Sequence, residues 1–355
     1  VFWITFYELF ILNLFRPISD NGMCKSKAKL NGKTAIITGS NTGIGKETAK
    51  ELAKRGARII MACRNIKEGI KAADEIKQTT ENDNVVVKVL DLASFKSIRN
   101  FADNINSYEE RIDILVNNAS AISITRTEET EMKRYDLMHQ INTRGTFMTS
   151  KYAIPYLKKA QNPHILNISP PLLMMSKWFK DHLAYTMAKY GMSMCVLGMS
   201  EELREYGIAV NALWPKTAIW TAAMGMLGGE VAKSGCRKDT IMSDAAYAIL
   251  SKDSKLFTGN ICIDEKLLLN EGIKDFDQYA VSPGTPLLPD YYLPDEIMQE
   301  FKGIDLRQAI DSLKEKESST ETSAQKIFDS LKASINDEVK KEINAVISFV
   351  ISGQK

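Results

Sequence analysis

The sequence predicts an α/β fold in which helices cover both faces of a doubly wound parallel sheet. The first observation is a set of seven short apolar runs rich in Val and Ile; several are apolar on both faces, as strands buried in a parallel sheet are. Amphipathic stretches, such as 46–55 and 130–158, separate these runs. A turn with three glycines directly follows the first run. The predicted strands are TAIIT, ARIIMACR, VVVKVLD, IDILVNNA, HILNIS, IAVNALW and NICIDE.

Composition excludes several classes of protein. The 355 residues suffice for one large domain with extra segments, or for two smaller domains. A net charge of +2 and scattered lysines give no reason to expect a nucleic-acid partner. The five cysteines are an odd number without metal-ligand spacing, and the three histidines are dispersed. The sequence therefore predicts neither a disulfide framework nor a metal site, and reducing surroundings fit it best.

The first fifteen residues, VFWITFYELFILNLF, are almost continuously apolar, with Glu8 inside the run. A membrane span needs about 20 apolar residues, so this run is short for one. The lysines of 25–29 form a basic flank suited to the cytoplasmic side of a membrane. We expect a membrane anchor within 1–28 that contacts the bilayer through 1–15, which favours the endoplasmic reticulum membrane. An uncleaved signal fragment and a gene-model error are the alternatives.

The stretch TGSNTGIGKETA, residues 38–49, places Gly39, Gly43 and Gly45 between the first strand and the first helix. Glycines permit the sharp turn and the close approach of a ligand to the backbone, and the helix N-terminal amides then face a pyrophosphate. The strand before the turn and the helix after it strengthen this interpretation. A dinucleotide-binding fold of the Rossmann type is therefore predicted.

The end of the second strand indicates which dinucleotide is bound. An NAD site normally places Asp or Glu there for the ribose hydroxyl, whereas NADP requires a cation for its extra phosphate. The stretch MACRN offers Arg64 and no carboxylate, and Lys46 follows the last glycine of the turn. We therefore expect NADP(H). The alternative is that both cations are solvated charges at helix edges.

Two further strand ends match this interpretation. Asp91 ends VVVKVLD and is placed to accept a hydrogen bond from the adenine amino group. The tripeptide Asn117 to Ala119 ends the next strand, where the adenosine half would lie. Strands often end in Asp or Asn because these residues form turns, so neither motif alone is specific for a cofactor site.

The stretch YTMAK places Tyr185 and Lys189 four residues apart, on one face of a predicted helix. An unperturbed Tyr has a pKa of about 10, and a nearby ammonium favours its phenolate form. The helix follows HILNIS, whose Ser169 ends a strand at the same edge of the sheet, and Asn142 lies in the long preceding helix. A hydroxyl, a phenol and an ammonium over a nicotinamide suit hydride transfer to a carbonyl.

Taken together, these motifs resemble the short-chain dehydrogenase/reductase family over about residues 30–275. The resemblance implies that Tyr185 is the general acid for carbonyl reduction and the general base for alcohol oxidation. It implies that Ser169 holds the substrate oxygen, that Lys189 lowers the Tyr185 pKa and binds the ribose, and that Asn142 positions a relay water. The resemblance also implies cofactor contacts from Gly39, Ser40, Asn41, Gly43, Ile44, Gly45, Lys46, Arg64, Asp91, Leu92, Asn118, Ala119, Tyr185, Lys189, Pro215 and Thr217.

The resemblance divides at about Asn118. The part before it, with its apolar leader, is similar to membrane-anchored, NADP-using retinol dehydrogenases. The part after it is similar to hydroxysteroid dehydrogenase-like members, in which a lipid-binding domain similar to sterol carrier protein 2 follows the reductase. The division implies either a natural recombinant or two joined gene predictions. The later part implies a peroxisome or mitochondrion as the alternative location, and family members commonly form homo-oligomers.

The composition and the predicted secondary structure of the chain change after about residue 275. The stretch VSPGTPLLPDYYLPDE carries four prolines and predicts an extended covering or linking segment, and LKEKESSTETSAQ predicts a flexible linker. The following AQKIFDSLKASINDEVKKEINAVISFVISG is similar to the opening of the lipid-binding domain. The predicted organisation is a leader (1–28), an NADP-binding domain (29–275), an extended segment and linker (276–322) and a partial sterol-carrier-like α+β fragment (323–355).

Three stretches depart from the family pattern. Ser120 stands where most members have Gly, WPKT replaces the usual Pro-Gly, and PPLLMMSKWF lengthens the interval between Ser169 and Tyr185. The stretch PPLLMMSKWF either lines a lipid-like substrate pocket or forms a hydrophobic lid.

Two functions follow as expectations. The first is an NADP(H)-dependent oxidoreductase acting on an apolar alcohol or carbonyl of steroid, retinoid or fatty-acyl type. The second is a catalytically weak protein that binds NADP and lipid.

Overall fold

The structure is a computed structural model that describes residues 28–315. Residues 28–306 belong to one compact unit, and 307–315 belong to a second unit and are helical. The predicted leader up to residue 27 and the partial sterol-carrier-like fragment (323–355) lie outside the described residues.

A seven-stranded sheet forms the centre of the larger unit, with every strand parallel to its neighbours. The strand order is β3-β2-β1-β4-β5-β6-β7, so the order reverses between β1 and β4, where the ligand crevice of a doubly wound sheet opens. All seven predicted strands and the predicted fold class are confirmed. The strands are β1 (Thr34–Thr38), β2 (Arg58–Cys63), β3 (Val85–Val89), β4 (Ile114–Asn117), β5 (His164–Ile168), β6 (Ala209–Trp214) and β7 (Ile261–Ile263).

Helices cover both faces of the sheet. They are α1 (Gly43–Lys54), α2 (Ile66–Thr80), α3 (Phe95–Tyr108), α4 (Met132–Met138), α5 (Gly145–Leu157), α6 (Leu183–Glu202), α7 (Ala222–Gly228), α8 (Thr240–Leu250), α9 (Asp264–Asn270) and α10 (Asp295–Glu300).

The core lies on both sides of the sheet because successive strand residues point to opposite faces. Ile37 joins a buried cluster that includes Leu52 of α1 and Ala246 of α8. Its neighbour Ile36 joins the other cluster, which includes Ile98 of α3. This arrangement is why the strands read as continuously apolar rather than alternating.

The amphipathic stretch 130–158 forms one continuous helical segment with a change of helix type inside it. The chain forms α4, then a π-helical turn over His139–Arg144, and then α5. A π-turn inserts a residue into the helical ladder and often marks a functional site. Here it carries Asn142, which is fully buried.

The compact unit continues to Leu306, past the predicted domain boundary at residue 275. The proline-containing segment 286–293 packs back on the sheet domain rather than leading away from it. An isolated antiparallel bridge pairs Pro289 with Thr217, and Tyr292 is fully buried. The segment is therefore a wall of the domain, which matches the covering alternative.

His164, at the start of β5, is a buried base at the opposite edge of the sheet from the crevice. It is fully buried, and its Nε2 lies 3.1 Å from the Lys252 carbonyl oxygen. Burial disfavours the charged imidazolium and lowers the pKa of His164 to about 4.

We predict that acid destabilises the protein through His164. The unfolded chain takes up a proton near pH 6.5, whereas the folded chain does so only near pH 4, so stability falls as pH decreases between these values. His164→Gln removes this contribution, so between pH 7 and pH 5 the wild type loses about 2 kcal/mol more unfolding free energy than the variant. Urea unfolding of both proteins at the two pH values measures the difference, and an equal loss in both would contradict the prediction.

Candidate active site

The glycine turn lies where predicted, at the carboxyl end of β1. Gly39 and Gly43 adopt positive φ angles of 63° and 56°, which residues with a side chain rarely adopt. A Cβ atom on Gly39 would lie 2.9 Å from the Cα of Ala119, so a side chain has no space there. Thr42 caps α1 without a side-chain hydrogen bond, which leaves the first helix amides available to an anion.

The turn is fastened to the end of β4 by Thr38 and Asn118. The Asn118 side-chain amide donates to the carbonyl oxygens of Thr38 and Gly39, both at 3.0 Å. The Thr38 hydroxyl accepts the backbone amides of Asn118 and Ala119, also at 3.0 Å. The residues before and after position 118 are thus joined by a partly buried hydrogen-bond network.

A cleft of about 530 Å³ opens over this turn. Most of the predicted cofactor-binding residues line it, namely Gly39, Asn41, Gly43, Ile44, Arg64, Asp91, Leu92, Asn118 and Ala119. Its size and its position over the ends of β1, β2 and β4 suit a dinucleotide.

Three predicted residues of the turn have other positions. The Ser40 hydroxyl is buried and donates to the Ile37 carbonyl oxygen at 2.9 Å. Gly45 packs against Asn118 and is not among the cleft-lining residues. The Lys46 ammonium lies 2.5 Å from a Glu75 oxygen and does not line the cleft. Of the two predicted cations, only Arg64 lies in the cleft, where its side chain is exposed.

A second cavity, of about 190 Å³, contains the candidate reacting groups. Tyr185, Lys189 and Pro215 line it, and it shares the wall residues Ile44 and Asn118 with the cleft, so the two spaces adjoin. The rest of the lining is mostly apolar and includes Ile122, Ile168, Trp214, Ile219, Met224, Leu227 and Leu306.

Two buried hydroxyls near this cavity lack a partner. Ser169 and Thr217 are almost fully buried, and no hydrogen-bond partner for either hydroxyl exists within residues 28–315. An unpaired buried hydroxyl is costly, so each indicates a position where a bound molecule completes the bonding. Both residues were predicted to contact substrate or cofactor.

Asn142 is held by the backbone after β4. Its side-chain oxygen accepts the Ala121 amide at 2.8 Å, and its side-chain amide donates to the Ala121 carbonyl oxygen at 3.0 Å. The Ser120 hydroxyl also donates to the Asn142 side-chain oxygen, at 3.2 Å. The serine that departs from the family pattern therefore bonds to a predicted site residue.

The ionisation of the Tyr185 and Lys189 pair is governed by burial. The Lys189 ammonium donates to the Ile168 carbonyl oxygen at 2.7 Å. Burial lowers the Lys189 pKa to about 7, and the Asp290 carboxylate opposes that shift. Burial also raises the Tyr185 pKa, as do Asp290 and Tyr291. Burial therefore moves the pKa of each group towards its neutral form, and the lowering of the Tyr185 pKa by Lys189 stays a prediction.

The segment 286–293 contributes site residues that the sequence did not predict. Asp290 and Tyr291 line the cavity beside Tyr185 and Lys189. The signal was weak: an acid followed by two aromatic residues in a stretch of prolines. Asp290 and Tyr291 reach the cavity only because the chain folds back on residues more than a hundred positions earlier in the sequence.

The long interval after Ser169 does not line the cavity. Trp178 within it is buried, and its ring centroid lies 5.8 Å from that of Tyr292. The Tyr190 hydroxyl donates to the Leu173 carbonyl oxygen at 2.9 Å. The interval thus packs on its own domain, which matches the lid alternative.

Residues 28–315 lack two features, a membrane-spanning helix and a metal-binding cluster. No helix in that range combines the length and apolarity required to cross a membrane. The same residues contain no group of three His, Cys, Asp or Glu placed to hold a metal ion.

Comparisons with known proteins agree with the geometry. The family model described as short chain dehydrogenase matches residues 33–228. The chain is 47% identical to hydroxysteroid dehydrogenase-like protein 2 of Bos taurus and 48% identical to that of Xenopus laevis, in each case over 94% of this chain and 81% and 82% of the relative. The crystal structure of a short chain dehydrogenase from Mycobacterium thermoresistibile is 38% identical, with a TM-score of 0.70, and covers 75% of this chain and 96% of its own.

These relatives span the predicted division at Asn118. Matches over 94% of the chain cover both sides of that position, so one group of relatives accounts for both parts. The comparisons do not show the resemblance of the first part to retinol dehydrogenases. On the family match and the relatives, the chain belongs to the short-chain dehydrogenase/reductase family and is hydroxysteroid dehydrogenase-like.

Proposed function

We propose that the protein is an NADP(H)-dependent oxidoreductase that interconverts an apolar alcohol and its carbonyl compound, with Tyr185 as general acid and base. The observation that carries this proposal is the adjacency of two spaces: the cleft over the glycine turn shares wall residues with the cavity that Tyr185 and Lys189 line. A dinucleotide in the cleft would thus place its nicotinamide end towards the Tyr185 hydroxyl.

The residues present fit a dinucleotide phosphate. The start of α1 and the glycine turn would hold the pyrophosphate, because the Thr42 side chain makes no capping bond to the first helix amides. Arg64 would hold the extra phosphate; it has no acidic partner within the described part of the chain, and no carboxylate lies at the end of β2. Thr217 would bond the nicotinamide end through its unpaired hydroxyl.

The reaction would use Tyr185 and Lys189, which line the cavity, together with the predicted site residues Ser169 and Asn142. When bound, NADP(H) supplies or accepts the hydride. In reduction, the Tyr185 hydroxyl donates its proton to the carbonyl oxygen, which Ser169 holds through its unpaired hydroxyl. The raised Tyr185 pKa keeps the phenol protonated and ready to donate. Lys189 would bind the ribose and supply positive charge near the phenol, and Asn142 would position a relay water.

The substrate class follows from the cavity lining. Its walls are mainly aliphatic and aromatic, so burial of apolar substrate surface would provide most of the binding free energy. Steroid, retinoid and fatty-acyl carbonyl compounds meet this requirement, and the relatives' name points to the first.

The second candidate is a protein that binds NADP and lipid with little turnover. The raised Tyr185 pKa favours it for the alcohol-oxidation direction, because the phenolate base is scarce at neutral pH. Retained cofactor binding without turnover of any carbonyl compound would support it.

Further expectations extend the proposal. The reductase domain is proposed to form a homo-oligomer, and the chain to reside at the endoplasmic reticulum membrane, with a peroxisome or mitochondrion as the alternative. Contact with the membrane through residues 1–15 and a partial lipid-carrier fragment at 323–355 belong to the same proposal.

We predict that Arg64→Ala weakens NADPH binding by about 10- to 100-fold and leaves NADH binding nearly unchanged, because it removes the cation that pairs with the extra phosphate. Titration of intrinsic fluorescence with each cofactor measures this. Lys46→Ala is the matched control: its ammonium pairs with Glu75 outside the cleft, so little change is expected. Equal weakening for both cofactors in Arg64→Ala would contradict the role of Arg64.

We also predict that Tyr185→Phe lowers kcat for NADPH-dependent carbonyl reduction by about 100- to 10,000-fold while cofactor binding stays within a few-fold. A panel of retinal, a ketosteroid and a 3-ketoacyl thioester supplies the assay. Tyr190→Phe, on the same helix but bonded to the Leu173 backbone, controls for the loss of a buried hydroxyl. If no member of the panel supports NADPH consumption by the wild type, the binding-protein candidate is favoured.

A further inference from the structure

The segment 286–293 is attached to the domain beside the cavity, which its residues Asp290 and Tyr291 line. The Leu288 carbonyl oxygen accepts the Ala218 amide at 2.9 Å, and the Asp290 amide donates to the Lys216 carbonyl oxygen at 3.1 Å. The Trp214 indole donates to the Tyr291 carbonyl oxygen at 2.7 Å. These bonds fix the segment along the chain that follows β6.

The Lys216 side chain strengthens this attachment. Its ammonium lies 2.6 Å from oxygens of both Glu265 and Glu300, and its side chain is largely buried. The lysine that departs from the usual Pro-Gly therefore ties the loop after β6 to α9 and α10. Lys216 in place of the usual Gly thus has a structural role: through Glu300 it holds α10, which follows the segment 286–293.

Tyr292 fixes the direction in which the segment turns. It has a φ angle of 61°, which a bulky side chain adopts only when its surroundings impose it. Its ring is fully buried, and its hydroxyl lies 3.0 Å from that of Thr186. The ring centroids of Tyr185, Tyr190 and Trp214 lie 6.4, 5.4 and 5.9 Å from its own. The residues just before Tyr292 consequently have a defined position against the cavity.

Asp290 is the carboxylate among the residues that line this mostly apolar cavity. One of its oxygens accepts a hydrogen bond from the Tyr291 backbone amide at 2.6 Å. This is the sole hydrogen bond to the Asp290 side chain among residues 28–315. The residue is partly accessible where it lines the cavity, so its remaining bonding capacity faces that space. The cation of the cavity, Lys189, is already bonded to the Ile168 carbonyl oxygen.

We propose that Asp290 determines substrate specificity: the cavity takes neutral carbonyl compounds that carry a hydroxyl or amide N–H near the reacting carbonyl, and it rejects compounds that carry a carboxylate there. This inference rests on the proposed carbonyl reduction. A donor on the substrate satisfies the open carboxylate, whereas a second carboxylate places two like charges in a space of low polarity. Two such charges about 6 to 10 Å apart, at an effective dielectric constant of about 20, correspond to about 10- to 100-fold discrimination.

The charge of Asp290 sets the pH of the test. Burial raises the Asp290 pKa to about 7, the Tyr291 amide lowers it, and Asp264 and Lys189 act on it with opposite signs. Tyr185 and Cys236 also respond to its charge. At pH 8 the carboxylate is mainly ionised, so binding and turnover are best measured there.

The test uses an isosteric pair of ketones, 4-oxodecanamide and 4-oxodecanoate, with the full chain. Saturating NADP⁺ allows a ketone to bind without reacting, and Trp214 in the cavity wall reports binding through its fluorescence. We expect the wild type to bind the amide at least 10-fold more tightly than the carboxylate. In Asp290→Asn, and in Asp290→Ser as a second neutral variant, the ratio of the two dissociation constants falls at least 10-fold.

Asp295→Asn is the matched control, because it removes a carboxylate of the same region that pairs with Lys177 at the surface. It is expected to keep the wild-type ratio. Discrimination that persists in both neutral variants, equal binding of the two ketones by the wild type, or no binding of either would overturn the inference.

Turnover of the same pair with NADPH separates this inference from the proposed function. A ratio of dissociation constants that depends on Asp290, without NADPH consumption by the wild type, would support the specificity role and refute the oxidoreductase. NADPH consumption with a ratio of kcat/KM that is unchanged in Asp290→Asn would refute only the specificity role.

Discussion

The hydrogen bonds between the ends of β1 and β4 are the constraint on which the site depends. Asn118 holds the carbonyl oxygens of the glycine turn, and Thr38 holds the amides of 118 and 119. These bonds are partly buried in a sheet whose strand order reverses between β1 and β4. Because Gly39 and Ala119 are in contact, the cleft has a rigid floor made from both halves of the chain.

The site combines a rigid cofactor cleft with a cavity closed by the end of the domain. Parallel strands bring their carboxyl ends to one edge, which places Ser169 and the helix of Tyr185 beside the glycine turn. The segment 286–293 then adds Asp290 and Tyr291 to the same cavity. The proposed cofactor contacts and the proposed substrate contacts thus come from different parts of the chain, which suits a family that varies its substrates on a common reductase core.

Burial has a larger effect on the pKa values of Tyr185 and Lys189 than neighbouring charges have. Tyr185 and Lys189 are both removed from water, and the pKa of each moves towards its neutral form. Sequence spacing correctly placed them on one face of a helix, yet it could not indicate the depth of burial. That depth depends on Tyr292 and Trp214, which come from a distant segment and from β6.

The sequence by itself determined the doubly wound sheet, its seven strands and the glycine turn, because apolar periodicity and backbone permissiveness are local properties. Most of the cofactor-binding residues that it predicted line the cleft, since parallel strands necessarily end at one edge. Only the tertiary structure decided that Lys46 pairs with Glu75, that Asn142 lies in a π-turn, and that Asp290 enters the cavity. These outcomes depend on contacts between residues far apart in the chain, which local patterns do not encode.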